Sequence, residues 1–258
     1  MKPHSQHRRR FFRRSLAGAG AMLLAGCDYL GGKPWFVNML GTGEALSRGI
    51  HRSLIPRKAM AQEFTEADLS PHFRSNGTAA PDSELYRALA GGNFADWRLV
   101  VDGLVARPAQ FSLPQLRALP GRTQITRHDC VEGWSAIGKW TGVPLHAVLE
   151  AVRPDPAAKY VVFHCADPMD SNGRNLYYES IDLDDAYHPQ TILAYSLNDR
   201  PLPIANGAPL RLRVERQLGY KQAKYLMRIE LASSLADIHG GRGGYWEDSN
   251  GYQWYAGI

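Results

Sequence analysis

The sequence predicts an α+β fold, and three observations support that class. Strand-like apolar runs outnumber helical ones, the predicted helices are short, and the two types do not alternate as βαβ units require. At 258 residues the chain can bury a sizeable core. We expect the folded domain over about 93–235, after an irregular arm over 28–92 that is rich in Gly, Ser and Pro. An aromatic, glycine-rich tail follows over 236–258.

The domain is predicted to begin with a strand, a short helix and a second strand. "WRLVVDGLV", from Trp97, is a strand-like run that reaches a turn at Asp102 and Gly103. "FSLPQLRAL" predicts a helix, because Ser112 can cap its first turn and Pro114 suits that turn. "RTQITRHDC" is again typical of an extended strand.

The next elements are a helix and a series of strands. "TGVPLHAVLEAV" predicts a helix because its apolar residues recur at i, i+3, i+4 and i+7. These residues are Leu145, Val148, Leu149 and Val152. "KYVVFHC" is a continuous apolar run, typical of a strand buried on both faces. "TILAYSL" and "RPLPI" flank a turn signal, and "APLRLRVE" and "KYLMRIELA" alternate apolar and polar residues, which predicts strands with one buried face.

The charge distribution argues against a nucleic-acid-binding face. The formal net charge is +5, but six of the 30 basic residues precede residue 27 and no acid does. The remainder has 24 basic and 25 acidic residues. A nucleic-acid-binding domain keeps a basic face, so we predict no nucleic-acid partner.

Residues 1–27 are predicted to be an export signal. "RRRFFRRS" is a charged segment, and "LAGAGAMLLAG" is an apolar segment shorter than the ~20 residues that span a bilayer. "RRRFF" resembles a twin-arginine signal, and "LAGC" resembles a lipoprotein box whose Cys27 would be lipidated. An ordinary Sec signal with a chance cysteine is the alternative. The favoured interpretation places a lipid-anchored protein at the periplasmic face of the inner membrane.

"RHDCVEGW", residues 127–134, places a histidine, a cysteine and a glutamate within five positions. On an extended strand His128 and Cys130 share one face while Asp129 points away. The pair could be a nucleophile with its base, or Cys130 could form a disulfide with Cys165 after export. A zinc site would need more ligands than this segment offers. These residues alone leave the alternatives open.

"CVEGWSAIGKWTGVPLHAVLE" resembles the molybdenum-cofactor domain of the sulfite oxidase family, and within it the periplasmic methionine sulfoxide reductases. The resemblance continues in order through "AKYVVFHC", "NGAPLRLRV" and "GYKQAK", over about residues 97–232, with a shorter match at "FRSNG". It implies a mixed, β-rich molybdopterin-binding fold with short helices.

The resemblance also implies which residues hold the cofactor, molybdenum with molybdopterin. Cys130 falls at the position of the molybdenum-ligating cysteine, and a thiolate is a soft donor suited to a transition metal. The other implied cofactor-binding positions are Asn76, Cys165, Asn206, Arg211, Gln222, Ala223 and Lys224. Cys165 stands where the family has a threonine, and Arg211 and Lys224 can neutralise a phosphate. Glu132 and His128 are the candidates for handling a proton near the metal.

The implied activity is a two-electron oxygen-atom transfer on a small sulfur-containing substrate, by sulfoxide reduction or sulfite-type oxidation. Sulfite is an anion, and Arg127 and Arg216 are candidate cations for it. The sequence has no haem-attachment motif, so electrons are expected to be exchanged with a haem-containing membrane or periplasmic protein. A lipid-anchored, non-catalytic binding protein of the same fold and a thiol–disulfide protein using Cys130 and Cys165 are the alternatives.

Overall fold

The structure, a computed structural model, describes residues 33–54, 56 and 58–258. The chain divides into two units, one ending at Leu54 and one beginning at Ile55, and each is described by itself. The predicted export signal and Cys27 lie outside the described residues.

The described part of the first unit contains the 21-residue helix α1 (Pro34–Leu54). The expectation of little regular structure was wrong here, because it rested on the content of Gly, Ser, Pro and Asn. Apolar side chains recur at helical spacing through the segment, which is the pattern that predicts a helix. They are Trp35, Met39, Leu46, Ile50 and Leu54. In the part of the chain that the structure describes, no helix is both long and apolar enough to cross a bilayer.

The second unit contains two β-sheets built, among its described residues, from ten strands. The strands are β1 (Arg98–Gly103), β2 (Ala109–Ser112), β3 (Arg122–Cys130), β4 (Trp134–Pro144), β5 (Tyr160–Pro168), β6 (Leu176–Asp182), β7 (Ile192–Leu197), β8 (Arg200–Pro201), β9 (Arg211–Arg213) and β10 (Leu226–Ala232). One sheet has the order β2-β1-β10-β5-β6, and the other has the order β3-β4-β7-β8 with β9 also paired to β7. Only β1 and β10 pair in parallel among these strands. This is the mixed, β-rich α+β architecture that the sequence predicts.

Short helices connect the strands. They are α2 (Glu84–Gly91), α3 (Leu113–Ala118), α4 (Leu145–Val152), α5 (Leu183–Ala186) and α6 (Tyr245–Asn250), with 3₁₀ turns at Glu66–Asp68, Ile204–Asn206 and Gly219–Lys221. The predicted cap of α3 is present, because the Ser112 hydroxyl accepts the backbone N–H of Gln115. The predicted apolar face of α4 is fully buried in the main core. Burial of that face anchors the second sheet against the first.

Two strands beside the site are absent from the sequence prediction. β4 forms a hairpin with β3, with Cys130 opposite Trp134 at its closed end. β6 pairs with β5, and this pairing loses its regular register between His164 and Pro168. The one-sided alternation predicted around β9 is also wrong, because Arg211 and Arg213 are as buried as the leucine between them. The sheet therefore holds two guanidinium groups inside the protein.

The tail folds back on the domain. The backbone N–H of Leu218 donates to the carbonyl of Ala256, and Gln217 and Gly257 form a β-bridge. The Lys221 ammonium lies 2.5 Å from Glu179 Oε1 of β6 and 2.7 Å from Glu247 Oε1 of α6.

All three side chains of this triad are almost fully buried. Burial raises the pKa of Glu179, although Lys221 acts in the opposite direction. The triad ties the tail to the core.

Candidate functional site

A cavity of about 270 Å³ lies where the β3–β4 turn, the segment before β10 and the tail meet. Its polar side is lined by Asn76, Cys130, Glu132, Asp167, Gln222 and Lys224. Its apolar and aromatic side is lined by Val131, Met169, Tyr177, Tyr220, Trp246 and Tyr252. The cavity is therefore lined by polar groups, one thiol and a set of aromatic side chains, which we call the aromatic wall.

Cys130 ends β3 and is half-buried, with a free thiol. Burial raises the pKa of this thiol, although Arg74 and Arg211 act in the opposite direction. A thiol in this setting stays protonated until a metal displaces the proton.

Among the described residues, no group of three or more His, Cys, Asp or Glu side chains is arranged to hold a metal ion. A single thiol from the protein is sufficient when a cofactor supplies the other ligands of the metal.

Glu132 is fixed by two N–H donors. Its Oε1 accepts the backbone N–H of Gly77 at 3.1 Å, and its Oε2 accepts the indole N–H of Trp134 at 2.9 Å. These bonds lower the pKa of Glu132, so the carboxylate is ionised. It holds the loop after Asn76 against the β3–β4 turn.

His128 lies in the wall behind the cavity and is completely buried. Its Nδ1 accepts a hydrogen bond from Arg213 Nη1 at 3.0 Å, and Arg213 in turn makes a bidentate pair with Glu215. Burial, Arg213 and Arg211 lower the pKa of His128, so the imidazole is neutral. Gly219 packs so closely that a Cβ there would lie 2.6 Å from His128 Nε2.

Arg211 is fully buried, and no carboxylate forms an ion pair with it in the described ranges. It donates to the backbone carbonyls of Asn206 at 2.9 Å and Gln222 at 3.2 Å, while its Nε has no partner among the described residues. Burial lowers the pKa of Arg211 to about 9, and Arg213 adds to that shift. Such a guanidinium favours an anion beside it.

Lys224 is the ammonium group in the cavity lining. Its Nζ donates to the carbonyls of Asn76 at 2.5 Å, Thr78 at 2.7 Å and Ala205 at 3.2 Å. Burial lowers its pKa to about 7, and Arg211 contributes to this shift. Lys224 therefore joins the arm to the turn that contains Asn206.

Gly207 has φ +111°, and a Cβ at this position would lie 2.9 Å from the Lys224 side chain. The "NG" pair thus allows the close approach of the Asn206 turn to Lys224.

Cys165 and Ala223 lie behind the cavity and do not line it. Both are almost fully buried in the main core, and the carbonyl of Ala223 accepts the N–H of Leu212. Cys165 has a free thiol, as Cys130 does, so no disulfide joins them. Burial raises the pKa of the Cys165 thiol well above its ordinary range, which makes it a poor nucleophile.

These residues fit the phosphate, the ring and the metal that the sequence resemblance implies. Arg211 and Lys224 supply buried positive charge, and Cys130 supplies one soft donor. Two buried amide atoms, Asn76 Oδ1 and Asn206 Nδ2, have no partner within the described structure. Buried polar atoms in native proteins are nearly always hydrogen-bonded, so a polar ring between these segments would satisfy them.

Sequence reasoning missed several residues of the site. Asp167 and Met169, which follow Cys165 closely in the sequence, line the cavity. The signal that could have identified Asp167 is an aspartate directly after an apolar strand. Arg213 orients His128, and Trp140 lies beneath both guanidinium groups, 5.1 Å from Arg211 and 4.4 Å from Arg213. Their burial depends on the pairing of β9 with β7.

Comparison with known proteins gives a consistent result. The family described as "Oxidoreductase molybdopterin binding domain" matches residues 89–238. A protein of Azospira oryzae, YedZ1, named as a candidate protein-methionine-sulfoxide reductase subunit, is 38% identical over 250 residues, 97% of this chain and 87% of the relative.

Proteins of Xanthomonas campestris and Xanthomonas axonopodis, named protein-methionine-sulfoxide reductase catalytic subunit MsrP, are each 40% identical over 149 residues. Those matches cover 55% of this chain and 46% of each relative. Among solved structures, the sulfane dehydrogenase SoxCD of Paracoccus pantotrophus is 20% identical with a TM-score of 0.48, over 58% of this chain and 45% of that one.

Proposed function

Since the chain belongs to the oxidoreductase molybdopterin-binding family and is therefore an enzyme that uses molybdopterin, we propose that it reduces a sulfoxide by two-electron oxygen-atom transfer. The relatives named as methionine sulfoxide reductase subunits support this direction. Family membership favours an enzyme over the non-catalytic binding protein.

The charge of the cavity beside Cys130 favours a neutral sulfoxide over anionic sulfite as the substrate. The ionised carboxylate of Glu132 lines the cavity, and the ammonium of Lys224 already donates to three backbone carbonyls. Sulfite would be repelled by Glu132 and would have to compete with those carbonyls for Lys224. A sulfoxide is neutral and needs only hydrogen-bond donors for its oxygen.

The cations considered for sulfite are engaged elsewhere. Arg127 is more than half exposed and pairs with Asp129 at 3.0 Å, while Arg216 pairs with Asp185 at 2.5 Å. Neither lines the cavity. Their positions support a neutral substrate over sulfite.

In this proposal the protein holds the cofactor from two sides. Cys130 would ligate molybdenum, Arg211 and Lys224 would neutralise the phosphate, and the amides of Asn76, Asn206 and Gln222 would bind the ring. When bound, the cofactor supplies two-electron oxygen-atom transfer chemistry. His128 and Cys165 support the walls from behind, and Ala223 contributes backbone there.

The aromatic wall would bind the carbon substituents of the substrate. Trp246 and Tyr252 come from the tail and stack with ring centroids 6.0 Å apart, and Tyr220 packs edge-on against Tyr252. Met169 extends this apolar side. The methyl and methylene groups of a methionine sulfoxide would pack against such an apolar surface.

The test uses full-length protein loaded with cofactor and a reduced viologen dye as the electron source. Dye oxidation is followed with dimethyl sulfoxide, free methionine sulfoxide or sulfoxidised peptide as substrate. We expect turnover with sulfoxides and negligible sulfite oxidation when an oxidised dye replaces the reduced one. Faster sulfite oxidation than sulfoxide reduction would refute the proposal.

We also propose that a haem-containing protein of the membrane or periplasm supplies the electrons, one at a time. The sequence contains no C-x-x-C-H haem-attachment motif. Reduced haem protein mixed with loaded enzyme should be reoxidised only when a sulfoxide is present. Reoxidation at the same rate without sulfoxide would contradict this role.

The location at the periplasmic face of the inner membrane, by twin-arginine export and lipidation of Cys27, remains a proposal from the sequence. One acyl chain gives marginal membrane binding, so stable attachment requires more than one. Cys27→Ala should move the protein to the soluble fraction. If the variant stays in the membrane fraction unprocessed, the lipid anchor is wrong.

A further inference from the structure

Sulfoxide reduction needs a proton donor in the cavity. The reaction breaks the sulfur–oxygen bond, adds two electrons to sulfur and releases the oxygen as water with two protons. A one-electron haem donor supplies the two electrons in successive steps. The remaining question is which side chain of the cavity delivers a proton to the departing oxygen.

The polar residues to which a role is assigned above are already engaged in hydrogen bonds. Both oxygens of Glu132 accept N–H groups, and the ammonium of Lys224 is shared among three carbonyls. His128 is neutral, binds Arg213 and does not line the cavity. Asp167 also lines the cavity, and none of these contacts engages it. We therefore consider it as the proton donor.

Asp167 lies near the end of β5, in the stretch where the pairing with β6 loses its regular register. The residue is only 5% exposed, and it lines the cavity that contains Cys130. Its Oδ1 has no hydrogen-bond partner, and no cation forms an ion pair with it, within the described structure. An unpaired buried carboxyl group is costly unless it serves a ligand or a reaction.

We propose that Asp167 is the general acid of this site and delivers a proton to the oxygen that leaves the sulfoxide. The inference rests on the proposed sulfoxide reduction. The second proton of the water comes from solvent, which also reprotonates Asp167 through the cavity mouth. The oxygen of the substrate is the partner that Oδ1 lacks.

The surroundings of Asp167 keep it ready to donate. Burial raises its pKa to about 6, against the opposing effects of its own backbone N–H and Lys224. The titratable groups that interact electrostatically with it are Lys224, Tyr225, Tyr86, Tyr177 and Cys165. The three tyrosines and Cys165 all have raised pKa values and are neutral. An acid whose pKa lies close to the working pH is the most effective proton donor.

The experiment compares Asp167→Asn with the parent, both as full chains loaded with cofactor. General acid catalysis contributes roughly 10²- to 10⁴-fold, so kcat with dimethyl sulfoxide should fall by a factor in that range. The KM should change little, and the loss of rate above about pH 6 in the parent should flatten in the variant. Molybdenum content and the absorption spectrum should equal those of the parent.

Two further variants keep the test decisive. Asp167→Glu retains the acid and should recover part of the rate together with the pH dependence. Asp199→Asn is the matched control, because Asp199 is a largely exposed aspartate that pairs with Lys139 outside the cavity. Its rate and pH profile should equal those of the parent.

A second readout does not depend on turnover. In the cofactor-free protein, infrared difference spectra should contain a carboxylic-acid band that titrates near pH 6. Asp167→Asn should remove this band, and Asp199→Asn should not. A band that persists in Asp167→Asn would overturn the assignment.

The failures are distinguishable. Unchanged kcat and pH profile in Asp167→Asn, with an active parent, would refute the role of Asp167 and leave the proposed function intact. Loss of molybdenum in parallel with activity would also refute it, because Asp167 would then be holding the cofactor. A parent that reduces no sulfoxide would refute the proposed function and this inference together.

Discussion

Lys221→Met tests the buried triad that ties the tail to the domain. In the parent, the Lys221 ammonium contacts one oxygen each of Glu179 and Glu247, and all three groups are shielded from water. The triad places one ammonium between two buried carboxyl groups. Replacing the ammonium with a methionine of similar length leaves these groups buried without a cation. An ionised carboxylate left there must take up a proton for the fold to persist.

The free energy of folding that is lost in the variant depends on the pH. Protonating a glutamate of ordinary pKa, about 4.3, at pH 7 spans about 2.7 pH units, which corresponds to about 3.7 kcal/mol at 1.36 kcal/mol per unit. Breaking a buried ion pair by removing one partner costs a similar 3–5 kcal/mol or so. The variant's glutamate has a folded-state pKa above its unfolded value, so the penalty is absent below about pH 4.3 and grows as the pH rises.

Urea unfolding of the cofactor-free protein measures this prediction. The free energy of unfolding of Lys221→Met should fall well below that of the parent at pH 7.5 and approach it at pH 5.5. Lys139→Met is the control, because Lys139 also lies between two acids, Glu66 and Asp199, which are more than 60% exposed. That variant should lose little stability at either pH. Equal losses in the two variants, or a penalty independent of pH, would refute the reasoning.

The remaining predictions concern the cavity. Cys130→Ser should alter the metal spectrum and abolish turnover while the pterin is retained, because a hard alkoxide replaces a soft thiolate; an unchanged spectrum and rate would show that Cys130 is not the ligand. Arg211→Gln should weaken cofactor retention roughly 10- to 100-fold, the equivalent of about 1.5–3 kcal/mol for a charged hydrogen bond, measured as pterin released during gel filtration; full retention would contradict its role at the phosphate. Trp246→Ala should raise the KM for sulfoxidised peptide roughly tenfold, or about 1.4 kcal/mol, and change that for dimethyl sulfoxide less; equal effects on the two substrates would argue against an aromatic side-chain site.

Local patterns predicted much of the fold, because they depend on nearby residues. Two features could be predicted from the residues of a single segment, and both are present. They are the apolar face of α4 from Leu145 to Val152 and the helix cap at Ser112. The sequence of β3 also predicted its bounds, Arg122–Cys130. Helix α1 was missed because glycines at 41, 43 and 49 weaken helix propensity. The prediction followed this composition and not the helical spacing of the apolar residues.

Positions in the cavity lining were predictable where the chemistry of a residue suits a cofactor. Cys130 and Lys224 were identified and do line one cavity. Asp167 was not, because its exposure to the cavity depends on a register shift between β5 and β6 that no local pattern encodes. The burial of Arg213 likewise depends on the pairing of β9 with β7, two segments apart in sequence.

If Arg211 binds the cofactor phosphate as proposed, its buried guanidinium would link the supply of cofactor to the lifetime of the protein. Without an anion, the fold contains a desolvated positive charge that forms no ion pair with a carboxylate in the described ranges. A ligand that binds only the folded state stabilises it by mass action, by about 2.7 kcal/mol at a hundredfold excess over its Kd. On this proposal, chains made when cofactor is scarce would unfold more often and be degraded sooner. The abundance of the enzyme would then follow cofactor synthesis without any dedicated regulator.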